Sequence, residues 1–182
     1  MTLRTAEVLE AAEHLPSGAS LVVPEVSWGD YELLLEDFAE RHLRVNYDCG
    51  RLEIVSPRRK HEESARFIDQ LVLACSDVFD IAVESLGCTT WKRRALAKGV
   101  EADCCYYIRN APRILGEREL DLETDPPPDI VVEIDTTRTS LRKFRIYAAL
   151  SVPEVWRYNG KTLSIYRLAG SEYTPTPFSQ FL

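Results

Sequence analysis

Four charged residues stand where charge is costly, and together their types suit phosphate chemistry: Asp103, Glu133, Asp135 and Lys143. Glu133 and Asp135 belong to "DIVVEID", Asp129 to Asp135, whose apolar members are all β-branched, so the segment reads as a buried strand. A carboxylate inside such a strand costs roughly 2–5 kcal/mol unless something pairs with it, so a cation is expected. Strand side chains alternate, putting Ile130, Val132 and Ile134 on one face and Asp129, Val131, Glu133 and Asp135 on the other. In "VEADCCYYI", Asp103 shares a face with Cys105 and Tyr107. If the two strands are neighbours, Asp103 and Glu133 converge, and two close carboxylates repel unless a cation separates them. Lys143, in the first turns of the helix after the strand, is one such cation. The other is a hard metal, Mg²⁺ or Mn²⁺, which takes one or two carboxylates together with water and phosphate oxygens. Two carboxylates and a lysine then suit phosphodiester hydrolysis, the metal acidifying water and the lysine stabilising charge on the phosphate. Spacing alone leaves a plainer reading open, since acids at strand ends also serve as caps or as partners of a nearby arginine.

Further candidates flank this group. His61 and Glu62 open the helix that follows the basic stretch "SPRRKH", where His61 is either a proton shuttle, a helix cap or a partner of Glu62. Arg138, Arg142 and Arg145 surround Lys143 and either line a phosphate path or form a solvated helix face. Glu53 reads as a hairpin residue, and Asp129 as ordering the start of its strand through local backbone hydrogen bonds. Trp156, Tyr158 and Tyr166 suit base stacking but more simply packing.

Composition narrows the class. With 182 residues, 45% of them hydrophobic and 28% charged, the chain suits one domain spanning 1–182, with 1–24 a weakly helical leader and 169–182 a surface tail. A net charge of −7 argues against a protein that lives on nonspecific phosphate contacts, but not against an enzyme with an acidic metal site. Five cysteines without CxxC spacing read as reduced thiols packed as small hydrophobes, and three histidines without ligand partners argue against zinc. No apolar run suits a signal peptide or a membrane span, so a cytoplasmic location is the default expectation.

The elements that must position these residues follow from periodicity. Ser27 and Asp30 make a capping pattern for a helix over 27–42, and "LRVNYDCGRLEIVSP" reads as a hairpin turning at Cys49–Gly50. The strongest helix runs from His61 to Phe79, with Phe67, Ile68, Leu71, Val72, Cys75, Val78 and Phe79 as its apolar stripe. Strands are expected over 81–85, 89–93, 102–108 and 129–135, a helix over 137–150, and a last hairpin turning at Asn159–Gly160. This order gives an α/β (α+β) fold, a mixed sheet flanked by helices with an N-terminal helix and hairpin.

Three blocks, "GRLEIVSPRRKHEE", "GVEADCCYYIRN" and "DPPPDIVVEIDTTRTSLRKFRIYAALSVPEVWRYNG", resemble the Uma2 (DUF820) family from about Trp28 onward. That family is similar to the PD-(D/E)XK nucleases. The resemblance implies a restriction-endonuclease-like core and an Mg²⁺- or Mn²⁺-dependent endonuclease acting on DNA. It places Asp103 at the aspartate of the Pro-Asp motif, Glu133 at the acidic residue of the next strand, and Lys143 at the family's helical lysine. Glu62, beside His61, matches an acidic residue of the first core helix. Ala102 stands where the family has proline, and Asp135 where the superfamily has its strand lysine. The site therefore depends on Lys143 reaching across from the helix, which its long flexible stem permits. The alternative is a non-cleaving nuclease-fold protein that binds nucleic acid or protein. Many nucleases that cut duplexes do so as homodimers, which leaves a dimer open here.

Overall fold

The computed structural model describes residues 3–39, 41–114, 116, 120–135 and 140–182. Within them the chain is α+β, with helices packed on two sheets. The first sheet has strand order β1-β3-β2-β6-β5 and the second β11-β10-β9-β8-β7-β4.

Helix α1, Leu3–Glu13, is followed by strand β1, Ser20–Val23, which pairs antiparallel with β3, Arg51–Val55. The expected leader is thus helical at its start, but it also supplies the edge strand of a sheet. Val8 and Ala12 are buried against α2 and the hairpin, because α1 covers apolar surface that the hairpin alone would leave in water. Helix α2, Trp28–Phe38, starts where Ser27 Oγ accepts the Asp30 N–H, and it buries Tyr31, Leu34 and Phe38. Strand β2, Arg44–Asp48, turns into β3 through Cys49 (φ 47°) and Gly50 (φ 90°). Two consecutive positive φ values match the tight turn whose twist suits a hairpin, and glycine meets the second without a Cβ penalty.

Helix α3, Arg59–Phe79, is the long helix the periodicity predicts, but its stripe divides. Ile68 and Val72 are fully buried, whereas Phe67, Leu71, Val78 and Phe79 are exposed by 38–77%. One face of α3 covers the second sheet; the remaining apolar residues lie beyond that contact.

The segment expected as one strand over 102–108 divides as well. Strand β6, Lys98–Glu101, pairs with β2 and with β5, Thr90–Arg93, in the first sheet. Strand β7, Cys104–Tyr107, pairs with β4, Glu84–Ser85, and with β8, Ile130–Ile134, in the second. Ala102 and Asp103 are the crossing between sheets. The short helix α4, Ala111–Ile114, lies in the polar connection that follows.

All five residues of β8 are buried, and its alternation holds. Ile130, Val132 and Ile134 pack under α3 with Cys104, Tyr106 and Trp156, while Val131 packs on the other face with Cys105, Tyr107 and Val155. That second face is covered by α5, Leu141–Ala149, which links β8 to the parallel strand β9, Glu154–Tyr158. The expected helix over 137–150 is therefore described from Leu141.

Strand β9 pairs with β10, Leu163–Ala169, across a four-residue turn in which Asn159 Oδ1 accepts the Lys161 and Thr162 N–H groups. The expected surface tail contains a strand, β11, Glu172–Thr176, paired with β10, and Phe181 returns to the core beneath α3. All five cysteines are free thiols; Cys104 and Cys105 are buried, but Cys49 and Cys88 are exposed rather than packed. No described helix is long and apolar enough to cross a membrane.

Candidate active site

Where the two sheets meet, a cleft of about 110 Å³ brings together Asp103, Glu133, Lys143 and His61. Pairing of β7 with β8 sets Cys104 opposite Val132 and carries the Asp103 N–H to the Val132 carbonyl (3.1 Å), so Asp103 comes to stand beside Glu133. The convergence expected from alternation is therefore present, though Asp103 reaches it from the crossing rather than from mid-strand.

Glu133 is 2% exposed and faces α5. Lys143 Nζ donates to both of its carboxylate oxygens (3.0 and 2.9 Å) and to the Glu101 carbonyl (2.9 Å), using its three donors. Tyr147, one helical turn beyond Lys143 and fully buried, donates its hydroxyl to Glu133 Oε1. Burial pushes the Glu133 carboxyl up to about 7 against the attraction of Lys143, with Asp103 adding to the rise. Burial works against the Lys143 ammonium, but Glu133 and Asp103 outweigh it and hold its pKa above the usual lysine value.

Asp103 is 6% exposed. Its Oδ2 accepts the Ile134 N–H at 2.7 Å, and Oδ1 lies 3.3 Å from His61 Nδ1. Burial alone would raise this carboxyl; the His61 hydrogen bond and the Lys143 charge hold it below the usual carboxylate range. Burial opposes the His61 imidazolium, yet Asp103 raises its pKa above the ordinary histidine value. His61 reaches the site from the first turn of α3, whose N-terminal end lies over the cleft.

The remaining sequence candidates separate. Glu62 points away from the cleft, held by Arg44 (3.3 Å) and near His42 (3.7 Å). Arg142 is exposed on the cleft wall. Arg145 pairs with Asp48 in an adjoining groove. Arg138 lies outside the described residues. Asp129 accepts the backbone N–H groups of Ile108 and Asn110, which follow the neighbouring strand β7, so its bonds run across the sheet and are not the local ones expected. Trp156 is packed in the core and donates Nε1 to Glu154. Asp135, where the resemblance to PD-(D/E)XK nucleases would put a strand lysine, is paired with Arg157 and accepts the Ser140 N–H.

Sequence reasoning missed four contributors: Tyr147, Arg44, Asn46 and Glu101. Tyr147 was findable, four residues beyond Lys143 and so on the same helical face. Arg44 and Asn46 share a face of β2, and only the meeting of the sheets brings them to Glu133. Glu101 acts through its carbonyl, a role that side-chain chemistry cannot signal. Glu53, read as a hairpin residue, also lines the cleft, opposite Asn46 across the β2–β3 pair.

Among the described residues no group of three or more His, Cys, Asp or Glu is arranged to cage a metal ion. Mg²⁺ and Mn²⁺ do not require a cage, because Mg²⁺ in particular keeps several waters and is bound by one or two carboxylates plus substrate oxygens. Two buried carboxylates side by side on an open cleft fit that mode.

A search of curated proteins finds no match. The family model Uma2, described as "Putative restriction endonuclease", matches residues 28–182, and the chain belongs to that family.

Proposed function

Taking Uma2 membership as the premise, we propose that this protein is a divalent-metal-dependent endonuclease that hydrolyses DNA phosphodiester bonds at the Asp103–Glu133–Lys143 cleft. The observation that carries the reading is Lys143: a lysine from α5, not from the strand, reaches the carboxylates of β8 and the sheet crossing.

In this reading Asp103 and Glu133 would hold Mg²⁺ or Mn²⁺, which would supply charge neutralisation and a more acidic water. The Ile134 N–H and His61 orient Asp103, and Tyr147 orients Glu133. Lys143 releases one Glu133 oxygen and turns its ammonium to the phosphate, where negative charge grows as the bond breaks. His61, raised by Asp103, is a proton donor within reach of the same cleft. The test is calorimetric Mn²⁺ and Mg²⁺ binding by the protein and by Asp103→Ala and Glu133→Ala, followed by cleavage of plasmid DNA. Binding lost in both variants, with cleavage lost in both and in Lys143→Ala, is the expected outcome. Equal binding in all three proteins, or none in any, would sink the reading.

One observation favours a second reading, a nuclease-fold protein that binds without cutting. Each carboxylate already has a partner within the protein, Lys143 on Glu133 and His61 on Asp103, and the strand-lysine position is Asp135 engaged by Arg157. DNA binding unaffected by metal and by Lys143→Ala, with no cleavage, would favour it.

A further inference from the structure

Leaving a buried polar atom unpaired costs about 1–3 kcal/mol, so several such atoms on the walls of one cleft call for a ligand or water to meet them. Three atoms without a partner among the described residues belong to residues lining the cleft: Arg44 Nε, Asn46 Nδ2 and Ser140 Oγ. Asn46 is 3% exposed and Ser140 6%. Two of the three atoms are pure donors, and a hydroxyl can donate. The cleft also carries Glu53, Asp103, Glu133 and Asp135, but none of them accepts from these three atoms; with the Arg58 and Arg142 side chains on the same walls, the unmet donors suit an oxyanion.

The geometry is built, not incidental. Arg44 and Asn46 stand two residues apart on β2, so both project from one face. Asn46 Oδ1 accepts the Glu101 N–H (3.3 Å), which fixes the amide and leaves Nδ2 as the unpartnered end. Glu62 holds Arg44 through a terminal nitrogen, leaving Nε free. Ser140 stands at the N-cap of α5 with no side-chain capping bond, while its own N–H is bound to Asp135. The acids nearby are occupied, Asp135 by Arg157, while Glu53 lies 3.7 Å from Arg51.

We propose that Arg44, Asn46 and Ser140 form a subsite for a phosphate that is not itself cleaved, next to Asp103 and Glu133, so that the substrate is a nucleic-acid strand gripped at neighbouring phosphates. This rests on the phosphodiesterase reading above and extends it. A substrate with a single phosphate would leave one of the two positions empty.

Two variants test it without dismantling the fold. Asn46→Asp keeps the acceptor for the Glu101 N–H and replaces the donor with a negative oxygen. Ser140→Ala removes a hydroxyl that has no partner among the described residues, so its melting temperature stays equal to or above that of the parent. The probes are a single-stranded DNA oligomer, the same oligomer with an uncharged methylphosphonate backbone, and inorganic phosphate, each titrated in chelator at low salt. The expected result is oligomer binding about ten-fold weaker in Asn46→Asp and about three-fold weaker in Ser140→Ala, and none for the uncharged backbone. Unchanged oligomer binding in both variants, or no binding by the parent protein, overturns the subsite. Inorganic phosphate binding as tightly as the oligomer reassigns the subsite to free phosphate and overturns the strand substrate. Because these titrations contain no metal, they separate from the nuclease reading. Variant-sensitive binding without metal-dependent cleavage sinks that reading alone; cleavage with variant-insensitive binding sinks the subsite alone.

Discussion

Glu133 and Glu154 lie on adjacent strands of one sheet, both almost wholly buried, and their surroundings could hardly differ more. Glu154 is met by neutral donors: Trp156 Nε1 at 2.6 Å and the Gln180 N–H at 3.1 Å. Those bonds tie the last residues of the chain to the core beneath α3. Glu133 is met by a cation, a tyrosine and, alongside, a second carboxylate on a solvent-connected cleft. A buried acid closed off by neutral donors is a latch, whereas one balanced against an exchangeable ammonium at a cleft can trade its partner. Burial and residue type are the same in both; the nature of the partner sets them apart.

The contrast is most sharply tested by removing each acid's principal partner or the acid itself. Lys143→Ala leaves Glu133 buried without its cation; cleavage kcat is expected to fall about 10²–10³-fold. Stability at neutral pH should fall by about 3–5 kcal/mol in denaturant titrations of the metal-free protein. Glu154→Ala should lower stability while sparing the cleft. It costs about 2–4 kcal/mol by stranding the Trp156 and Gln180 donors, yet leaves Mn²⁺ affinity unchanged by calorimetry. A loss of metal binding in Glu154→Ala would erase the distinction drawn here.

How legible this difference was in the sequence depends on chain distance. Glu133, Lys143 and the strand–helix–strand unit that joins them lie within a short stretch, and alternation plus helical spacing located them. Alternation puts Asp103 on the correct face, but inside a continuous strand. The apolar run "CCYYI" gives no sign that the chain leaves one sheet for another at Ala102 and Asp103, since both environments are buried. The pairing with His61 makes Glu62 a candidate, yet one residue along a helix turns a side chain by about 100°. His61 therefore faces Asp103 while Glu62 meets Arg44. The strand nature of Ser20–Val23 and Glu172–Thr176 was hidden because both are edge strands, short, exposed in part and, in the second, interrupted by Pro175.

Smaller effects refine the comparison. The carboxyl of Glu133 has an ordinary value of 4.5 but keeps its proton to about 7 when folded, so between those values the folded state binds more protons than the unfolded one. Stability of the metal-free protein therefore falls as pH rises through that window, on the order of 1–3 kcal/mol. His61, raised above its ordinary 6.5, acts in the same direction, because its contribution is full below that value and fades as pH passes its folded pKa. Asp103, lowered, contributes above its ordinary 3.8 and loses that contribution only in acid. Chemical denaturation between pH 5 and 8 should show the decline, and Mn²⁺ should offset it more at pH 8 than at pH 5. A flat profile would mean that Glu133 resembles Glu154 after all. Tyr147→Phe removes one hydrogen bond to Glu133 and is expected to cost about 1 kcal/mol of stability and about ten-fold in metal affinity.

The cleft has one wall on each sheet: Asn46 and Glu53 stand on the first, Glu133 and Ile134 on the second. Behind it, one continuous core joins Trp91 and Val100 of the first sheet to Tyr107, Val131 and Tyr147 of the second sheet and its helix. The aperture therefore behaves as the gap of a calliper whose pivot is packed hydrocarbon. Close-packed interiors resist sliding, so the width of the cleft is set in the core, by the volumes of residues that do not line it.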